Sequence, residues 1–153
     1  MSRVVVSDSA CLIGLERIQR LELLPCVFAE VLVPPAVAEE FGASLMWLKV
    51  VAPRDKGVVA ACKAYVDDGE AEAIALALER GAEVLMDDQR GRKLAERLNV
   101  PTRGLLGVLT LAKRMGRLDN VGPIIRELRQ QSFFISESLI AEVLAQNHEP
   151  PLT

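Results

Sequence analysis

Histidine is nearly missing: His148 is the only one in 153 residues. A Ser-His-Asp or Cys-His nucleophile needs an imidazole in reach, and this one lies in the C-terminal tail, so neither arrangement is available. Aromatic residues make up only 4% of a chain that is half hydrophobic. The apolar mass is therefore Val, Leu, Ile and Ala in short bursts, which suits a buried parallel sheet covered by helices. Three cysteines, Cys11, Cys26 and Cys62, form no CxxC pair. Their odd number and wide spacing predict reduced core thiols, not a disulfide frame or a zinc site. No apolar run reaches the roughly 18 to 20 residues of a membrane span, and no basic N-terminal region precedes a long apolar stretch. A cytoplasmic protein without membrane contact is expected. Neither GxGxxG nor GxxxxGK[ST] is present, which removes the phosphate cradles of dinucleotide and P-loop proteins. Asp8-Ser9-Ala10 also lacks the second aspartate of aspartyl-phosphate phosphatases.

The length fits one domain, expected over residues 1–146, with a flexible tail over 147–153. A net charge of −3 conceals an asymmetry along the chain. Residues 1–89 hold 8 Lys/Arg against 15 Asp/Glu, and residues 90–129 hold 10 against 3. An acidic pocket beside a basic surface suits a metal-dependent enzyme acting on a polyanion, since cations need carboxylates and phosphates need Lys or Arg.

Strands and helices alternate. Val4 to Ser7 reads as a strand, followed by a helix capped by Asp8 or Ser9. Leu21 to Pro25 predicts a helical turn, Val27 to Val33 a second strand, and Pro35 opens a helix to about Gly42. Trp47 to Val51 reads as a third strand and Lys56 to Tyr65 as a helix. An alanine-rich helix runs from Glu70 to Glu79, Gly81 caps it, and Val84 to Met86 forms a fourth strand. A basic helix from Arg90 to Leu98 precedes a short edge strand at Val100-Pro101. Helices follow from Gly104 to Met115, Val121 to Gln131 and Ser136 to Ala145. Phe133 and Phe134 are expected in the core or a dimer interface, with base stacking as the alternative. The pattern is α/β: a three-layer α/β/α sandwich around a central, mostly parallel sheet.

Several acids fall at element ends: Asp8, Glu40, Glu70 with Glu72, and Asp87 with Asp88. Each has an ordinary explanation as a cap or a first-turn residue near a helix dipole. Two predicted central strands both end in Asp, however, and a doubly wound sheet brings such ends together. Two carboxylates about 4 Å apart repel by about 4 kcal/mol at an effective dielectric near 20. No Lys or Arg lies within three residues of Asp8. Oxygen-only ligands favour a hard cation, Mg2+ or Mn2+, with water as the natural nucleophile. Arg90, Arg92, Lys93 and Arg103 follow the last acids and either contact phosphates or are solvated. Gly104 either admits a phosphate to backbone amides or allows close packing.

In order, VVVSDSACLIGLERI, VLVPPAVAEEF, DDGEAEAIALALERGAEVLMDDQRGRKLAERL and RGLLGVLTLAKRMG resemble a PIN-domain protein of the small prokaryotic subgroup of toxin-type ribonucleases. The resemblance implies a Rossmann-like fold whose acids gather one or two Mg2+ or Mn2+ ions for RNA hydrolysis. It places family acids on Asp8 and Glu40, on Glu70 or Glu72, and on Asp87 or Asp88, with Glu70 and Asp87 preferred. It also implies a homodimer and a small antitoxin partner. Two other readings use the same residues: a non-catalytic binding module, and a metal-dependent nuclease or phosphatase with another substrate.

Overall fold

A computed structural model describes residues 3–152. Among them are five strands, β1 (Val4–Ser7), β2 (Glu30–Val33), β3 (Leu48–Val50), β4 (Glu83–Leu85) and β5 (Thr102–Arg103). The nine helices are α1 (Ser9–Arg17), α2 (Leu23–Val27), α3 (Pro35–Phe41), α4 (Lys56–Cys62), α5 (Asp68–Arg80), α6 (Gln89–Arg97), α7 (Leu105–Arg114), α8 (Gly122–Gln130) and α9 (Glu137–Gln146). The strands form one all-parallel sheet in the order β3-β2-β1-β4-β5.

Burial on both faces explains the unbroken apolar strands. Val5 packs into one core with α1, α2, α3, α7, α8 and α9, while its neighbour Val6 packs into a second with α4, α5 and α6. These are the two outer layers of an α/β/α sandwich. Helix α5 carries Ala71, Ala73, Ile74, Leu76 and Ala77, all fully buried, so small side chains bring its backbone close to the sheet. Among the described residues, no helix is long and apolar enough to cross a membrane.

Three expectations shift. The second strand begins at Glu30, not Val27, because Leu23, Leu24 and Val27 bury one face of α2 and β1 offers no partner before Val4, which pairs with Glu30. The edge strand is Thr102–Arg103 rather than Val100-Pro101. Pro101 has no N–H to give, although its carbonyl accepts from Val84 at 2.9 Å. Cys11 and Cys62 are buried as expected, but Cys26 lies on the outer side of α2 and is exposed.

The segment from Asn147, expected to be a tail, makes several contacts. The Asn147 side chain donates to Thr110 Oγ1 at 3.1 Å, and Glu149 accepts from Lys113 Nζ at 2.7 Å. Glu149 also accepts from the amides of Val121 (2.8 Å) and Gly122 (2.9 Å), capping α8 from another part of the chain.

Candidate functional site

The strand order reverses between β1 and β4: β2 and β3 lie to one side of β1, β4 and β5 to the other. Ligands in open parallel sheets bind in the crevice beyond strand C-termini at such a switch point. Asp8 follows β1 directly, and Asp87 lies two residues beyond β4. Ser7 aligns with Leu85, and the Asp8 N–H donates to the Leu85 carbonyl at 3.0 Å, so the two aspartates emerge side by side.

Asp8 caps α1: its Oδ1 accepts from the Cys11 N–H at 2.9 Å. It is only 6% exposed and makes no ion pair with a Lys or Arg within 4.0 Å among the described residues. Burial raises its pKa from 3.8 to about 6, with the Asp87 charge adding to the rise and the hydrogen bonds from Cys11 opposing it. Cys11 stands between the two acids. Its thiol donates to Asp87 Oδ2 at 3.4 Å, and burial together with both carboxylate charges holds its pKa well above the usual thiol range. Sequence reasoning placed Cys11 only in the core. The signal was its spacing, since the third residue after an N-cap faces the capping side chain.

Asp87 Oδ2 also accepts from the Leu105 N–H at 3.1 Å, at the start of α7. A Cβ on Gly104 would lie 2.6 Å from Asp87 Oδ1, so glycine is needed there for Asp87 to approach the helix. The close-packing reading of Gly104 holds.

The remaining acids surround this pair. Asp88 caps α6 through the Gly91 N–H at 2.9 Å, and Glu70 shares a hydrogen bond with the Asp88 side chain. Glu70 also closes a capping box with Asp67 at the start of α5. Burial, followed by the Asp88 bond and the Asp67 and Asp88 charges, raises the Glu70 pKa from 4.5 to about 8. The Ser9 hydroxyl donates to Glu40 Oε1, which ties Glu40 to the residue after Asp8. Glu39 is exposed. Glu72 accepts from the Ala36 N–H at the start of α3 at 3.1 Å.

The structure thus brings Asp8 and Asp87 together, pairs Glu70 with Asp88 one residue away, and links Glu40 to Ser9. The donor chemistry fits a hard divalent cation: carboxylates, one buried without a cation, and no imidazole. In the side-chain positions present, no group of three or more His, Cys, Asp or Glu among the described residues is arranged to hold a metal ion. Asp87, Asp88, Glu70 and Glu72 each accept from a backbone amide, as Asp8 does.

The basic residues separate into two kinds. Arg103 is committed to Glu83, with Nε at 2.6 Å and Nη2 at 3.4 Å. Arg92 and Lys93 of α6 make no ion pair within 4.0 Å among the described residues and line a cavity of about 610 Å³ together with Asp87, Asp88 and Phe134. Arg90 faces the other side, in a smaller cavity with Glu70 and Asp88.

Over residues 4–149 the chain matches a family model described as a PIN domain. PIN domains are generally nucleases that use divalent metal ions. A comparison with curated proteins found no match.

Proposed function

The chain belongs to the PIN-domain family, and on that premise we propose that it is a metal-dependent endoribonuclease hydrolysing RNA phosphodiester bonds. The observation that carries this reading is Asp8: a buried carboxylate without a cationic partner among the described residues, beside Asp87 at the switch point of the sheet. Asp8 and Asp87 are the direct ligands of Mg2+ or Mn2+, and Glu40, Glu70, Glu72 and Asp88 are the acids from which the rest of its surroundings are drawn. The chemistry supplied by such a cation is acidification of the attacking water and neutralisation of phosphate charge. Of the alternatives left open by the sequence, Glu70 is favoured over Glu72, because Glu72 is committed to α3 while Glu70 faces Asp88. Burial and the Asp67 and Asp88 charges raise the Glu70 pKa in the metal-free chain, and a cation beside it would favour the ionised carboxylate. The Cys11 thiol, uncharged and hydrogen-bonded to Asp87, orients that carboxylate.

The finer reading is a cytoplasmic toxin, homodimeric and restrained by a small antitoxin. Its support is the order of motifs along the chain. It predicts that expression of the wild type alone arrests growth while Asp8→Asn does not.

A second reading, a non-catalytic binding module, draws on the several acids turned to backbone amides. One experiment separates the two: cleavage of a mixed RNA substrate with Mn2+, with EDTA, and by Asp8→Asn. The nuclease cleaves only with Mn2+. Asp8→Asn is expected to lose more than about a hundredfold, beyond what the loss of an outer partner of a metal ligand costs. Equal cleavage under all three conditions, or none with wild type and Mn2+, overturns it.

A further inference from the structure

Asp87 is backed by the shortest strand among the described residues. This is β5, an edge strand of two residues, Thr102–Arg103, followed at once by Gly104 and α7. So short a ladder gives little hold on the helix it carries. Yet α7 must sit accurately, because the Leu105 N–H, the first of the helix, has no partner within it and donates to Asp87 Oδ2 at 3.1 Å. The other donor to that oxygen is the Cys11 thiol, a weak one, at 3.4 Å. The direction of the Asp87 carboxylate therefore depends on where β5 places the start of α7.

A side-chain link supplies what the ladder lacks. Arg103 aligns with Leu85 in the register, so Glu83, two residues earlier on β4, lies on the same face and diagonally across from it. Arg103 engages both carboxylate oxygens, through Nε at 2.6 Å and Nη2 at 3.4 Å, and the two side chains are only 25% and 19% exposed. The Arg103 stem also runs against α7, where a Cβ on Gly107 would lie 3.0 Å from its Cγ. On the backbone, the Arg103 carbonyl accepts from the Met86 N–H at 2.9 Å, one residue before Asp87. One arginine thus ties β4, β5 and α7 together around the aspartate.

We propose that Glu83 and Arg103 are positioning residues for the acid pair: their ion pair fixes β5 and the start of α7, and through the Leu105 amide it sets the direction of the Asp87 carboxylate. The inference goes beyond the nuclease reading and rests on it only for the cation that Asp87 is to hold. A pair that merely braced the sheet would change stability alone.

Amide hydrogen exchange followed by NMR in EDTA tests this without any metal. The Leu105 amide has Asp87 as its acceptor, so its exchange reports that bond directly. In Arg103→Met, which keeps much of the stem, Leu105 protection is expected to fall by about tenfold or more, while that of the Cys11 amide, bonded to Asp8, stays within about twofold. Glu83→Gln keeps the shape and one acceptor oxygen, gives a smaller loss in the same direction, and carries the test if Arg103→Met does not fold. Mn2+ binding, followed by loss of the free-ion electron paramagnetic resonance signal, should weaken about tenfold in Arg103→Met, the scale for an outer partner of a metal ligand. Asp55→Ala removes the cap of α4 in the other layer, so it destabilises the chain without touching β5, and should leave Leu105 exchange and Mn2+ affinity as in the wild type. Wild-type Leu105 protection in Arg103→Met and Glu83→Gln overturns the proposal. Wild-type Mn2+ affinity in Arg103→Met, or an equal loss in Asp55→Ala, also overturns it, since either leaves the pair a brace of the sheet. The exchange effect in a protein whose wild type binds no Mn2+ supports the positioning of Asp87 and overturns the nuclease reading.

Discussion

Asp8 serves two purposes that pull against each other. As an N-cap its oxygen satisfies the Cys11 amide, and an asparagine would do that equally well. As a buried charge beside Asp87 it is held at a cost. A rise in pKa from 3.8 to about 6, at about 1.36 kcal/mol per unit, sets the scale of that cost. Asp8→Asn should therefore stabilise the metal-free protein at pH 7.5 by about 3 kcal/mol while abolishing cleavage, as urea unfolding in EDTA would show. The same shift fixes a pH dependence. Below about pH 4 Asp8 is protonated in both folded and unfolded chains. Between there and pH 6 the folded chain keeps a proton that the unfolded chain has released, so stability falls as pH rises, and the loss is complete above that range. Glu70, raised from 4.5 to about 8, extends the decline towards pH 8. Urea midpoints from pH 4 to 8 should fall steadily in EDTA, and a flat profile would contradict both assignments. Gly104→Ala gives a steric test: its methyl would meet Asp87 Oδ1, so cleavage should drop at least tenfold with the fold retained by circular dichroism. Asp8 and Asp87 were legible in the sequence because each ends an apolar run. The diversion of Glu72 was not, because its partner Ala36 lies 36 residues away and no local pattern reports such a contact.

At the level of elements, the cap and ligand readings of these acids stop being alternatives. In a parallel sheet the C-terminal end of each strand leads into the N-terminal end of a helix, where carboxylates are favoured by unpaired amides and by the dipole. Asp8 and Asp88 cap α1 and α6, Asp87 meets the first amide of α7, and Asp67 with Glu70 boxes α5. The sequence therefore shows acids at element ends for a structural reason that also concentrates them at the crevice. Asp67 lies outside the proposed ligand set, and Asp67→Ala should cost about 1 kcal/mol through loss of the capping box. That is a fall in Tm of about 2 to 4 °C for a chain of this length, measurable by calorimetry. Glu149→Ala removes an acceptor from two amides and Lys113 at once, and should cost about 2 kcal/mol or more by urea unfolding. Helices with caps and periodic apolar faces were readable from the chain. The start of β2 was not, because Val27 and Phe28 have strand-forming side chains and only the register against Val4 decides where pairing can begin.

Across the whole molecule, the chain order of charge becomes an arrangement in space. Asp8, Glu70, Asp87 and Asp88 of the acidic first part of the chain lie near the C-terminal ends of β1 and β4, and the basic run that follows supplies α6, whose Arg92 and Lys93 border the same crevice. A two-sided parallel sheet with its order reversed between β1 and β4 is what makes this possible, since it places residues 8 and 87 side by side. The order of motifs anticipated that architecture. The side chains of Asp8, Asp87 and Asp88 rest on helix-start amides, as their places at element ends led one to expect. A cation that draws them together binds the folded chain and should raise its Tm, and that increment should vanish in Asp8→Asn. The most direct measurement is anomalous scattering from crystals grown with Mn2+. The account predicts an ion bound by oxygens of both Asp8 and Asp87 at about 2.1 Å. An empty position there, with the two carboxylates more than about 8 Å apart, would contradict it.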